Sequence, residues 1–297
     1  MKCRNRPRNE FVPTNHKFMK SIRHLALSAF ALLLAGNLTA VPIPENLSQN
    51  GWFIGCQSYT FRAYTAFEAI AKTKQAGGNM IEFYPGQLLK PGSKEKVSHN
   101  MPPAAVEELK AECARQGVRA VNYDVVAARD AAEIESIMEF AKKMGLYSVT
   151  TESTELVADW EKAAIKYDIN VGFHEHGKHP GYKVWDPLYI LGVVESRDHH
   201  LGAAADIGHW CTSGLKPIDC LRILKGRIIS VHFKDKAAMG NAPVVVAGKG
   251  VVDCAACLAE LKKQGFHGNI SIEHEADWKN NVPEVTADVN FIKSFGK

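Results

Sequence analysis

From Phe53 onward the chain alternates two patterns: short, mostly apolar runs that end in polar residues, and longer segments whose apolar residues recur three and four positions apart. The first pattern predicts strands and the second amphipathic helices. Strands are expected at 53–61, 80–86, 118–126, 148–152, 170–176, 203–206, 228–235 and 269–275. The helix signals between them are local. Thr65 and Glu68 have capping-box spacing, and Gly77-Gly78 ends the helix they open. Val106, Leu109 and Cys113 line one face of 102–116, and Asp130 with Glu133 opens a helix that runs to Gly145. Further helices are expected up to Tyr167, from Asp186-Pro187, at 217–225, from Asp253 to Gly265 and at 282–295.

Eight strands alternating with eight helices imply right-handed crossovers between parallel strands. Over 41–297, 257 residues, this predicts an α/β fold, a (β/α)8 TIM barrel in a single domain. A doubly wound open sheet is the alternative, weakened by the lack of a Gly-rich phosphate loop after the first strand. The segments 177–185 and 236–252 fit no period and are expected to be functional loops.

Active sites of such barrels lie at the C-terminal ends of the strands, where this chain collects its polar residues. Asp206 follows Ala203-Ala204-Ala205, a poor place for a carboxylate unless a cation, a donor network or a shifted pKa meets it. The runs ending in His174-Glu175-His176, His232-Phe233-Lys234-Asp235 and Glu273-His274-Glu275 behave alike. Strand alternation puts His174 with His176, His232 with Lys234, and Glu273 with Glu275 on common faces. His174, Asp206, His232 and Glu273 therefore form a candidate site for one divalent metal ion, suited to Mn, Zn, Co or Fe ahead of Mg. Glu152, ending the fourth strand, could replace His174 in that set.

Glu82, embedded in the second strand, is a candidate catalytic carboxylate. His176 and Lys234 could hold substrate hydroxyls or a developing oxyanion, and His209 lies one loop turn past Asp206. Glu175, His274 and Asp235 should face the helices, and His179, His199 and His200 the solvent. Tyr59, Trp185 and Trp210 could stack on a sugar or pack in the core.

The first forty residues change how charge is read. Lys17, Lys20 and Arg23 precede an apolar run at 25–35 and Leu38-Thr39-Ala40, the three parts of a secretory leader over 1–40, with Met19 as an alternative start. The apolar run is short for a membrane span, although a retained anchor is the alternative. The leader carries seven of the 36 Lys and Arg and one of the 32 acidic residues, leaving 29 against 31, a net −2. No nucleic-acid partner and no membrane surface is implied after cleavage, and an exported, periplasmic protein is expected. A homo-oligomer stays open. Of the six cysteines beyond the leader, Cys254 and Cys257 have helical spacing and the rest are scattered, so free buried thiols are expected, Cys211 and Cys220 being the first pair to test.

The chain resembles the xylose-isomerase-like TIM barrels, a superfamily of sugar isomerases and epimerases, inosose dehydratases and type-four apurinic endonucleases. The resemblance covers essentially all of 41–297. It rests on Gly55-Cys56-Gln57-Ser58-Tyr59-Thr60-Phe61, Ile81-Glu82-Phe83-Tyr84-Pro85-Gly86, His174-Glu175-His176, Asp206-Ile207-Gly208-His209, His232-Phe233-Lys234-Asp235, Gly248-Lys249-Gly250-Val251-Val252-Asp253 and Ser271-Ile272-Glu273. In the ketose-epimerase branch, strands five to eight supply Glu, Asp, His and Glu to one metal, and a His three after the Asp touches substrate. Asp206, His209, His232 and Glu273 match that pattern, and His174 stands where the branch has Glu.

The resemblance implies proton chemistry beside a carbonyl: a metal-stabilised enediolate, with Glu273 as ligand and base and His174, His176 or Glu82 as second acid or base. It implies a small carbohydrate as substrate. Return of the proton gives isomerisation or epimerisation, and loss of a β-substituent gives a lyase or hydratase acting on 3-keto-glycosides. Export favours free or oxidised sugars over sugar phosphates. DNA repair is disfavoured by export, by the net charge and by the lack of the extra histidines of a trinuclear site. A non-catalytic carbohydrate-binding protein would not need Asp206, His232 and Glu273.

Overall fold

A computed structural model describes residues 42–296, so the leader expected at 1–40 lies outside the described residues. The barrel strands are β1 Phe53–Gln57, β2 Met80–Phe83, β3 Arg119–Val126, β4 Ser148–Thr151, β5 Asn170–His174, β6 Leu201–Asp206, β7 Ile228–Phe233 and β8 Asn269–Ile272. Between them run α1 Ala66–Gln75, α2 Pro103–Gln116, α3 Ala131–Met144, α4 Val157–Tyr167, α5 Pro187–Val194, α6 Ile207–Thr212, α7 Pro217–Ile223 and α8 Cys254–Gln264, with α9 Val282–Ser294 at the end. Each strand pairs in parallel with its neighbours in sequence, and β1 pairs with β8 from Phe53 opposite Asn269 to Cys56 opposite Ile272, which closes the barrel. Among the described residues no helix is long and apolar enough to cross a membrane.

The expected caps form. Thr65 and Glu68 make a reciprocal capping box, Asp130, Asp186 and Asp253 each accept a backbone N–H of the first turn they open, and Gly117 ends α2 at φ 64°. Strand ends differ. β1 stops at Gln57, whose side chain accepts the Tyr59 N–H and turns the chain into a 3-10 helix over Ser58–Phe61. α6 starts directly where β6 ends, because Asp206 Oδ1 accepts the His209 N–H at 2.7 Å and caps it. His209 thus stands on the first turn of a helix.

The segment before β1 closes the barrel floor, where Ile43 packs with Phe53, Met80 and Val121, residues at or near the starts of β1, β2 and β3. Above it the barrel interior turns polar: Asn122 donates to Thr150 at 2.7 Å and Asn269 to Ser271 at 3.0 Å. The main hydrophobic core lies between strands and helices and includes Trp160 and Trp210.

Two expectations change, for His200 and Asp235. His200 is buried, not solvent-exposed, because Asp198 and Asp168 grip its two ring nitrogens at 2.6 and 3.0 Å. Of the two readings of Trp210, core packing holds: it is fully buried. Asp235 faces away from the bowl, but it grips a loop instead of a helix: its carboxylate accepts the N–H groups of Lys236, Gly248, Gly250 and Val252 at 2.8–3.0 Å. Segment 236–252 therefore has order that no period announces, including an antiparallel ribbon of Asp235–Lys236 with Val244–Val245. Cys56, Cys113, Cys211, Cys220, Cys254 and Cys257 are free and buried, as expected.

Asp235→Ala should destabilise the fold by about 3 kcal/mol, since each buried N–H left without an acceptor costs about 1–3 kcal/mol and the loop can relax in part. Urea unfolding and limited proteolysis within 237–252 check this; an unchanged midpoint with no new cleavage would show that the loop does not depend on the carboxylate.

Candidate metal centre

Asp206 is fully buried at the end of β6, and the cap leaves its Oδ2 facing inward. Around Oδ2 stand His174 Nε2 at 3.5 Å from β5, His232 Nδ1 at 3.6 Å from β7, and Lys234 Nζ at 3.0 Å. Glu273, just past β8, places Oε2 at 3.2 Å from His232 Nδ1. One donor atom from each of His174, Asp206, His232 and Glu273 lies within 4.8 Å of the others, so the four residues singled out from the sequence converge.

The outer ring nitrogens are already committed. His174 Nδ1 bonds Glu152 Oε1 at 3.2 Å, and His232 Nε2 lies 2.8 Å from both Glu82 Oε2 and Asp124 Oδ2. A proton on those nitrogens leaves lone pairs on His174 Nε2 and His232 Nδ1, both aimed inward. These two atoms and Asp206 Oδ2 are buried and have no hydrogen-bond partner. Buried polar atoms normally find partners, and three orphans converging with a carboxylate are what a cation would satisfy. The carboxylates behind the imidazoles provide the outer support typical of metal-bound histidine. The residues present fit a single divalent transition-metal ion.

Electrostatics in the metal-free chain follow from this crowding. Burial alone would lower the pKa of His174, but the Asp206 and Glu152 carboxylates facing its two ring nitrogens outweigh it and raise it to about 10. His232 is likewise raised against burial, by Asp124, Glu273 and Glu82. Asp206 is held well below the usual carboxylate range, against burial, by His209 and Lys234. Glu82 is pushed up by burial, with His232 opposing, and His176 is pulled down by burial and by His174.

A cavity of about 280 Å³ opens above the centre, lined by His174, His176, His209, Glu273 and Glu275 and walled by Tyr59 and Tyr84. That is near the lower end of ligand cavities, about 300–1,000 Å³. His176 stands exposed at the mouth, its ring centroid 4.2 Å from that of His209. Tyr59 meets Tyr84 and Trp278 edge-on at 5.3 and 5.6 Å, with the Arg62 guanidinium over the Tyr59 ring. Trp185 carries Lys178 over its ring, and His179 stacks on Tyr182.

The remaining expected residues separate. Glu82 lies on the far side of the His232 ring from Asp206 and Glu273, is wholly buried and does not line the cavity. Lys234 is also buried and off the cavity wall, with Nζ 2.6 Å from Glu273 and 2.7 Å from Glu275. Glu152 backs His174. His274 and Glu175 turn away from the cavity, His274 to Asp288 at 3.1 Å. Asp124 and Gln57 were not singled out: Asp124 shares His232 with Glu82 and accepts from Gln57 Nε2 at 3.2 Å. Asp124 carried the same signal as Glu82, a carboxylate inside an apolar strand.

The raised histidine pKa values give a signed expectation. Imidazoles that titrate near 6.5 in the unfolded chain and near 10 when folded, as His174 does, stabilise the metal-free fold below pH 6.5 and lose that contribution as pH rises to about 10. Metal binding needs neutral imidazoles, so it releases protons and should cancel or reverse this slope. Thermal unfolding of chelator-treated protein should show Tm falling between pH 6.5 and 10, and the fall should vanish with saturating Mn or Zn. A flat or rising metal-free profile would contradict the charge arrangement.

Sequence and structure comparisons agree with the geometry. The description "xylose isomerase-like TIM barrel" matches residues 70–295. No curated protein sequence matches the chain. Among solved structures, an uncharacterized protein from Parabacteroides distasonis ATCC 8503 is 29% identical, with TM-score 0.67 over 82% of this chain and 98% of that one. Two more distant structures show likeness of fold. An IOLI protein with a binding zinc atom is 16% identical, TM-score 0.64, over 82% of this chain and 99% of that one. The 3-keto-D-glucoside 4-epimerase YcjR from E. coli is 14% identical, TM-score 0.62, over 82% of this chain and 99% of that one. With three quarters of its length matched and the barrel closed, this chain belongs to the xylose isomerase-like TIM barrel family.

Proposed function

We propose that this protein is a metal-dependent sugar isomerase or epimerase that moves a proton beside a carbonyl of a free or oxidised sugar. The observation that carries this reading is the convergence of three orphaned buried atoms, His174 Nε2, Asp206 Oδ2 and His232 Nδ1, with Glu273 at the floor of a sugar-sized cavity. The likeness to a sugar epimerase and to a zinc-containing barrel supports it.

His174, Asp206, His232 and Glu273 would hold the ion, which when bound supplies a positive charge to polarise a carbonyl or neighbouring hydroxyl. The residues of the chain do the rest. Glu273 Oε1 is left free of the ammonium and the imidazole, so it can take the α-proton. His176, exposed on the cavity wall, is the group placed to return a proton on the other side. His209 beside it can hold a hydroxyl. Glu82 lies off the cavity and acts through His232, fixing the tautomer.

One observation favours a second reading. The cavity is walled by the Tyr59 and Tyr84 rings, with Trp278 edge-on behind Tyr59, a wall suited to a substituent on the sugar. With a leaving group there, the same proton removal gives β-elimination from a 3-keto-glycoside. The leader expected at 1–40 supports export of the enzyme and a substrate found outside the cytoplasm.

Elemental analysis should find about one divalent transition metal per chain, lost in an Asp206→Ala, His232→Ala double variant. NMR in D2O with free ketoses and 3-keto-glucosides then separates the readings: deuterium entering a retained sugar means isomerisation or epimerisation, and a released aglycone means elimination. No metal after reloading, or no exchange with either substrate, would sink the proposal. Glu82→Gln should weaken metal affinity about 10–100-fold while leaving the cavity residues intact. Metal titration checks this, and unchanged affinity would remove Glu82 from the support of the centre.

A further inference from the structure

We propose that Lys234 occupies, with its own ammonium, the second cation position of a latent two-cation site and so restricts the centre to one metal ion. This rests on the metal-dependent reading above and adds to it the reason for a single ion.

His209, Glu273 and Glu275 form a second converging donor set, each offering an atom within 4.8 Å of the others. The Lys234 nitrogen sits among them, 2.6 Å from Glu273 Oε2, 2.7 Å from Glu275 Oε1 and 3.5 Å from His209 Nε2, with Asp206 Oδ2 at 3.0 Å. Two of these oxygens, Asp206 Oδ2 and Glu273 Oε2, also face the first centre. Two cation positions therefore share two carboxylates, the arrangement of a bridged metal pair, whose ions sit about 3.5–4 Å apart.

The ammonium donates to Glu273 Oε2 and Glu275 Oε1, and the Asp206 Oδ2 charge lies 3.0 Å away as a third negative neighbour. Lys234 is 3% exposed and off the cavity wall, so the ammonium serves these carboxylates and not a substrate. The backbone is shaped for this side chain. A Cβ on Gly208 would lie 2.1 Å from Lys234 Cγ, so only glycine between Asp206 and His209 lets the stem pass. Once Lys234 is removed, carboxylates and an imidazole remain around a space the size of a cation, with Glu275 and His209 open to the cavity.

The chemical consequence is a division of labour. One ion beside a fixed single charge suits polarising one carbonyl, whereas a metal pair clamps both the attacking and leaving oxygens of a displacement. Lys234 keeps the first arrangement.

Wild type, Lys234→Met and Lys234→Arg would be reloaded with Mn, desalted and assayed for metal per chain, with electron paramagnetic resonance to detect a spin-coupled pair and circular dichroism to confirm folding. Wild type and Lys234→Arg should hold about one ion, and Lys234→Met about two with a coupled signal. Adding Glu275→Gln to Lys234→Met should return the count to one. Lys234→Gln, which keeps hydrogen-bond donors without the charge, replaces Lys234→Met if the latter does not fold, with the same expectation. One ion in the uncharged variants, or two in wild type, overturns this inference and leaves the single-centre reading standing. No ion in wild type overturns both.

Discussion

The buried carboxylate of Asp206 is the constraint on which the rest of this structure depends. An ion at that depth costs several kcal/mol unless both oxygens are met. Oδ1 caps α6, which turns the chain sharply out of β6 and brings His209 over the bowl. Oδ2 stays bare of hydrogen bonds and draws two imidazoles and an ammonium toward it. Gly208 has no side chain because the lysine stem occupies that space.

A second ring of carboxylates holds the first in place. Glu152 behind His174, and Glu82 with Asp124 behind His232, turn each imidazole so that one nitrogen faces the centre. Gln57, Asn269 and the polar barrel interior in turn hold those carboxylates. Rigid strands fix the centre, while the loops above it shape the cavity, and Asp235 ties the longest of them down from outside the bowl. Chemistry and substrate choice can then vary separately.

Much of this was legible before any coordinates. Helix caps at Thr65, Asp130, Asp186 and Asp253 are local bargains between a side chain and the next turn, so they form as written. The four converging residues were legible because a barrel sends every strand end to one rim. Glu275 and Asp124 were less legible. Alternation paired Glu275 with Glu273 but could not tell that both reach one ammonium, and Asp124 matters because β3 carries it to His232 from across the barrel and onto the cavity lining. His200 was misplaced because its partner Asp168 is 32 positions away.

Local periodicity and capping chemistry were thus enough for the barrel, its order and the polar rim, since those depend on contacts within a few residues or on a closure common to all such repeats. Three-dimensional packing alone settled which imidazole nitrogen faces inward, which carboxylates support and which face the cavity, and that Lys234 points into a ring of oxygens. Those outcomes rest on partners brought together from distant strands, and on burial that strengthens each of their charges, neither of which a linear pattern encodes.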